Sequence, residues 1–130
     1  MSGLSLFWGA CLFSWCALIF ALSAQSALPA PELFDGQDKL IHATAYAVMA
    51  WLFWGAWKQA VAENHGLLAI LAVVFCSAYG LSDEWHQSFV QGRDASVYDW
   101  LADSFGALLL SMLLWNRSVA MNRNSDRKTA

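Results

Sequence analysis

Apolar residues in this chain come in long blocks broken by short polar turns, rather than alternating or recurring at helical spacing against a polar face. A helix that crosses a bilayer needs roughly 20 mostly apolar residues, because the hydrocarbon layer is about 30 Å thick and each helical residue rises about 1.5 Å. Four stretches meet or approach that length, at about 4–22, 40–57, 66–81 and 97–115. The third is short and the fourth carries Asp99 and Asp103, yet four remains the best count. The pattern therefore predicts an all-α, integral membrane four-helix bundle with short loops, forming one domain over 1–115. The remainder, 116–130, is rich in Asn, Ser, Arg and Lys and reads as a disordered basic cytoplasmic tail.

Two features refine that outline. Ala21-Leu22-Ser23-Ala24 resembles the small-residue site at which signal peptides are cut. No Lys or Arg precedes the first apolar run, however, and the run is longer than a usual signal core, so it is read as a retained span. Orientation follows from the basic residues. Lys58 lies in the second connection and Arg117, Arg123, Arg127 and Lys128 follow the fourth span, whereas the first and third connections hold Lys39 and Arg93. Both termini are thus expected in the cytoplasm. Trp57 and Trp115 would then lie in the inner aromatic belt, Trp85 and Trp100 in the outer one.

Composition narrows the class further. Of 130 residues 58% are hydrophobic and 13% charged, where a soluble domain carries about 25% charged residues. A net charge of -3 without a basic patch argues against nucleic acid as a partner. Cys11, Cys16 and Cys76 sit within apolar runs without metal-ligand spacing and read as small buried hydrophobes. No phosphate-binding loop, nucleophile elbow or H-E-x-x-H helix occurs. Nothing in these patterns calls for a cofactor.

With that topology the polar residues gather at one side of the membrane. Asp38, Lys39, His42 and Tyr46 open the second span, and Asp83, Glu84, His86 and Gln87 close the third. Gly92, Arg93 and Ser96 occupy the third connection, and Asp99 and Asp103 open the fourth span. Spacing of four puts Asp38, His42 and Tyr46 on one helix face, and Asp99 with Asp103 on another. Asp103 falls about 10 Å along its helix from Ser96, at a depth where an ionised Asp costs up to about 2.5–3.5 kcal/mol unless it finds a partner or water. Arg93, Lys39 and His42 are the available cations.

Plainer readings stand beside these. Ser96-Val97-Tyr98-Asp99 has the form of a helix-capping box, Asp38 suits the positive end of a helix dipole, and Lys39 can extend to the head groups. Glu63 and His65, in the opposite connection, read as a solvated turn. His42, Glu84, His86 and Asp103 are possible divalent-metal ligands, but their separations match no known ligand motif, so no metal site is assigned.

The run from Ser82 to Asp99 resembles the D-E-x-x-Q-x-F-x-x-G-R-x-x-S-x-x-D signature of the VanZ-like membrane proteins, first associated with resistance to the glycopeptide antibiotic teicoplanin. Asp38-Lys39-Leu40-Ile41-His42 with Tyr46 resembles that family's D-K-x-x-H-x-x-x-Y element, and Phe20 to Gln25 its F-x-x-S-x-Q element. Asp103 and Gly106 fall where the family carries a polar residue, commonly Asn, followed three later by Gly. Asp103 in place of Asn adds a charge, and Gln91 stands where proline often precedes the Gly-Arg pair.

The resemblance implies a multi-pass protein of the bacterial cytoplasmic (inner) membrane and a role in the cell envelope, but no reaction. Joined to the polar cluster, it suggests an outward pocket for an amphiphilic envelope molecule such as a lipid-linked or cell-wall precursor. Acid–base chemistry on a lipid-linked ester or phosphoester is one extension, although no nucleophile and base are paired in sequence. A non-catalytic membrane adaptor that binds another envelope protein is the alternative. Besides the lipid bilayer, a second copy of the chain is a plausible partner, because four short helices offer little interior.

Overall fold

The structure, a computed structural model, describes residues 2–26, 33–62 and 64–129. Four helices make it up: α1 (Gly3–Ser23), α2 (Gln37–Trp57), α3 (His65–Gln87) and α4 (Val97–Thr129). No strand occurs among the described residues. All four helices are long and apolar enough to span a membrane.

Helix starts follow local capping chemistry. The Ser2 hydroxyl accepts from Ser5 N–H at the head of α1, and the Asn64 side chain accepts from Leu67 N–H at the head of α3. Each satisfies a donor that the first helical turn leaves free. Gly36, with φ of 82°, turns the chain into α2. His65 begins α3 and stacks on Trp54 at 6.0 Å, so it packs instead of lying in a solvated turn; Glu63 lies outside the described residues.

Two helices outrun the lengths expected from sequence. α3 continues through the polar residues 82–87, because Asp83, Glu84 and Gln87 turn into the bundle and are buried there. α4 does not stop at Trp115 but continues to Thr129, so the basic tail is helical rather than disordered. After Gly106 the sequence has no Gly or Pro to break it, and Arg127 and Lys128 in the last turn oppose the negative end of the helix dipole. Its 33 residues make a rod of about 50 Å, longer than the roughly 30 Å of hydrocarbon.

α2 is the central element. It packs against α4, α1 and α3, while α3 also packs along α4 and only brushes α1. Met49, Ala50, Leu68, Ala72, Cys76 and Ala107 are fully enclosed at the centre. The α2–α4 contact is close because of Gly106, where a Cβ would fall on the Ala43 carbonyl oxygen. Small residues draw membrane helices together in this way, since lipid supplies no hydrophobic push between them.

Side chains also reach across to neighbouring backbones. Trp15 Nε1 donates to the Ala45 carbonyl at 3.0 Å, Trp100 Nε1 to the Ser77 carbonyl at 3.0 Å, and the Tyr79 hydroxyl to the Cys16 carbonyl at 2.6 Å. Ser104 and Ser77 hydroxyls bond at 2.9 Å. Membrane hydrogen bonds average about 0.6 kcal/mol and reach about 1.7 kcal/mol. Tyr79→Phe is accordingly expected to lower bundle stability by about 1 kcal/mol in a detergent unfolding titration. An unchanged midpoint would show that this bond does not hold α1 in place.

Candidate functional site

Alternating helix directions bring the C-terminal ends of α1 and α3 and the N-terminal ends of α2 and α4 to one end of the bundle. Each candidate residue from the sequence lies there, but they divide into separate groups with different partners.

The innermost group joins three helices. His42 Nδ1 lies 3.0 Å from Asp103 Oδ1, linking α2 to α4, and the Asp103 side chain is completely enclosed. Room for it comes from Gly80 on α3: a Cβ there would lie 2.9 Å from Asp103 Oδ2 and 3.3 Å from the Tyr46 ring. Glu84, 6% exposed, accepts from the Ser96 N–H through Oε2 at 2.7 Å. One ligand-type atom from each of His42, Glu84 and Asp103 can be chosen so that all lie within 4.8 Å of one another. Glu84 Oε1, Asp103 Oδ2 and the Tyr46 hydroxyl are buried without a hydrogen-bond partner.

Nearer the surface, Lys39 bonds Asp99 Oδ1 at 2.8 Å and also Asp38, so the lysine ties α2 to α4 at their starts. Asp38 itself is exposed. Lys39, His42 and Tyr46, rather than Asp38, form the row on α2 that meets the neighbouring helices. Ser96 bonds through its backbone: its N–H goes to Glu84, and its carbonyl accepts from Asp99 and Trp100 N–H. The Ser96 N–H, which a capping box would satisfy from Asp99, is instead taken by a carboxylate from α3 that holds the chain where α4 begins.

A second group surrounds a small cavity of about 110 Å³ between α1, α2, α3 and the third connection. Arg93, Asp83, Gln87, Tyr46 and His42 supply its polar wall; Leu22 and Ile41, both exposed, stand at its apolar side. Gln87 donates to Asp83 Oδ2 at 3.1 Å, leaving Asp83 Oδ1 buried and unpartnered. Arg93 Nε is likewise buried without a partner, and Arg93 forms no ion pair among the described residues. Gly92 aims this arginine. Its φ of 83° is strained for other residues, and a Cβ would lie 2.9 Å from the Ser26 carbonyl oxygen.

His86 does not join either group. Its ring stacks on Phe20 at 4.6 Å, which separates it from the three residues with which the sequence could associate it. Trp85 and Phe89 pack edge to face and remain largely exposed at the same end of the bundle. Trp57 and Trp115 are exposed beyond the opposite end of the core.

Residues 12–119 match the family described as VanZ/LLP1, which covers most of the chain. The chain belongs to the VanZ/LLP1 family. Comparison with curated proteins and with solved structures gives no match. The VanZ/LLP1 match begins inside α1 and includes all the residues just described. Together with four apolar helices of spanning length, it identifies a multi-pass membrane protein in contact with the lipid bilayer.

Gly80 and three residues of α1 escaped sequence reasoning. Gly80 is an ordinary glycine in an apolar run, and only its place opposite Asp103 gives it a role. The α1 residues Ile19, Leu22 and Ser23 line the arginine cavity; the F-x-x-S-x-Q resemblance around Ser23 was the available signal.

Proposed function

We propose that the polar end of this VanZ/LLP1 protein faces the outer side of a bacterial cytoplasmic membrane and captures the anionic group of an amphiphilic envelope molecule. A lipid-linked cell-wall precursor fits that description, its chain remaining in the bilayer while its head enters the polar end. The observation that carries this reading is Arg93, whose buried Nε has no partner and which lines a cavity with apolar residues at its side. A buried guanidinium nitrogen without a partner is costly, and bidentate, charge-assisted bonding to a phosphate or carboxylate offsets that cost.

Size limits what can enter. A space of about 110 Å³ suits one compact group such as a phosphate. The rest of the molecule must then lie outside, along Leu22 and Ile41. Lys39 is already engaged by two carboxylates, which leaves the anion to Arg93. The orientation rests on the basic residues after α4, which favour the cytoplasmic side.

Native mass spectrometry of protein extracted from its membrane in mild detergent tests the proposal. An anionic lipid-linked species enriched far above its share of total lipid is expected on the wild-type chain. Recovery of bulk phospholipids alone, in bulk proportion, or of a constant protein partner instead, would count against it.

A further inference from the structure

We propose that His42, Glu84 and Asp103 form a binding site for a divalent metal ion of the zinc class, held at the junction of α2, α3 and α4. The geometry comes first. An imidazole nitrogen and two carboxylate oxygens converge within 4.8 Å, each from a different helix. Ligand atoms about 2.1 Å from a tetrahedral zinc stand roughly 3.4 Å apart. The His42–Asp103 separation of 3.0 Å is already near that spacing, and Glu84 needs to move by little more than an ångström.

Independent of the convergence, the polar atoms there are incompletely satisfied. Asp103 is completely enclosed and Glu84 is 94% enclosed, yet Asp103 Oδ2 and Glu84 Oε1 have no hydrogen-bond partner. Burying a carboxylate oxygen with nothing to meet it is unfavourable in any interior, and more so in a membrane. An ion between His42 Nδ1 and Asp103 Oδ1 takes the place of the hydrogen bond that joins them, and Glu84 Oε2 is held by the Ser96 N–H, which leaves Oε1 free to ligate. Supporting bonds of this kind orient ligands at metal centres.

The charges facing the site agree. Asp83 and Asp99 stand nearby, Lys39 is paired with Asp38 and Asp99, and Arg93 lies across the separate cavity that His42 also borders. The junction is therefore short of positive charge, which a divalent ion supplies. A mixed nitrogen and oxygen donor set suits zinc better than calcium or magnesium, which prefer oxygen alone. Three protein ligands leave a fourth position for water or an incoming oxygen.

The test uses the full chain, stripped with chelator in detergent, washed free of lipid, and dialysed against ZnCl₂. About one zinc per chain by elemental analysis is expected, with at least about tenfold weaker binding in Glu84→Gln and in Asp103→Asn. His86→Ala and His65→Ala are expected to bind as the wild type does. Cobalt substitution of the wild-type chain should give visible bands of a site with imidazole ligation, a readout that needs no variant to fold. Sub-stoichiometric zinc, a silent cobalt spectrum, or unchanged affinity in both carboxylate variants would overturn the assignment. Because ion binding is read without lipid, its failure leaves the anion-capture reading standing, and the converse holds.

Discussion

Gly106→Ala is expected to prevent the bundle from accumulating in folded form. The added Cβ would coincide with the Ala43 carbonyl oxygen, an atom of the α2 backbone that no rotamer change can move aside. α2 and α4 would have to separate along their most extensive contact, opening the enclosed layer around Met49, Ala50 and Ala107. Overpacking usually costs about 1–3 kcal/mol and more where backbone must shift, so a loss of about 3 kcal/mol or above is expected. Thermal unfolding in detergent and the monodisperse fraction on gel filtration read it directly. A variant with the wild-type melting temperature would mean that the helices are not in such close contact.

Arg93→Ala is expected to do the opposite: to leave the fold intact and remove the function. Its guanidinium takes part in no ion pair among the described residues, and its Nε has no hydrogen-bond partner, so truncation breaks no side-chain bond. Stability in lipid-free detergent should equal or exceed that of the wild type, because truncation removes a buried polar group that has no partner. Losing a charge-assisted bidentate contact costs about 2–5 kcal/mol of binding, enough to release the co-purifying anionic amphiphile. Where expression of the wild-type chain raises a host's teicoplanin tolerance, that tolerance should disappear in the variant at equal membrane abundance. Arg93→Lys should recover only part of it, because an ammonium cannot form the two-pronged contact. Full tolerance in Arg93→Ala would dismiss the arginine cavity as the working part.

Sequence made the four spans legible because a bilayer demands a length of apolar chain that few other structures need. It misjudged the ends for the same reason. Residues 82–87 are polar and fell outside the apolar span, but they continue the helix because Asp83, Glu84 and Gln87 find burial inside the bundle. Residues 116–129 looked too charged to fold, although α4, with no Gly or Pro to break it after Gly106, runs on through them.

The candidate site was readable as a set but not as an arrangement. Helical spacing relates residues on one helix, and it put Asp38 in a row with His42 and Tyr46, where Lys39 is the residue that meets α4. It could not choose among Arg93, Lys39 and His42 as partner for Asp103, because that choice depends on how far α2 and α4 approach. Ligand spacing failed similarly for His42, Glu84 and Asp103, which are neighbours through three helices and not through the chain. The same tertiary information set His86 aside on Phe20.

The dependence of α2 on α4 bears on biosynthesis. Lys39 and His42 enter the membrane with the second span, but Asp99 and Asp103, their counterparts, emerge from the ribosome only with the fourth. Until then a nascent chain exposes polar side chains to lipid, and Glu84 waits as well for the Ser96 N–H. Translation arrested before Val97 leaves those groups unmatched, a ready mark by which membrane proteases can sort unfinished chains from completed ones.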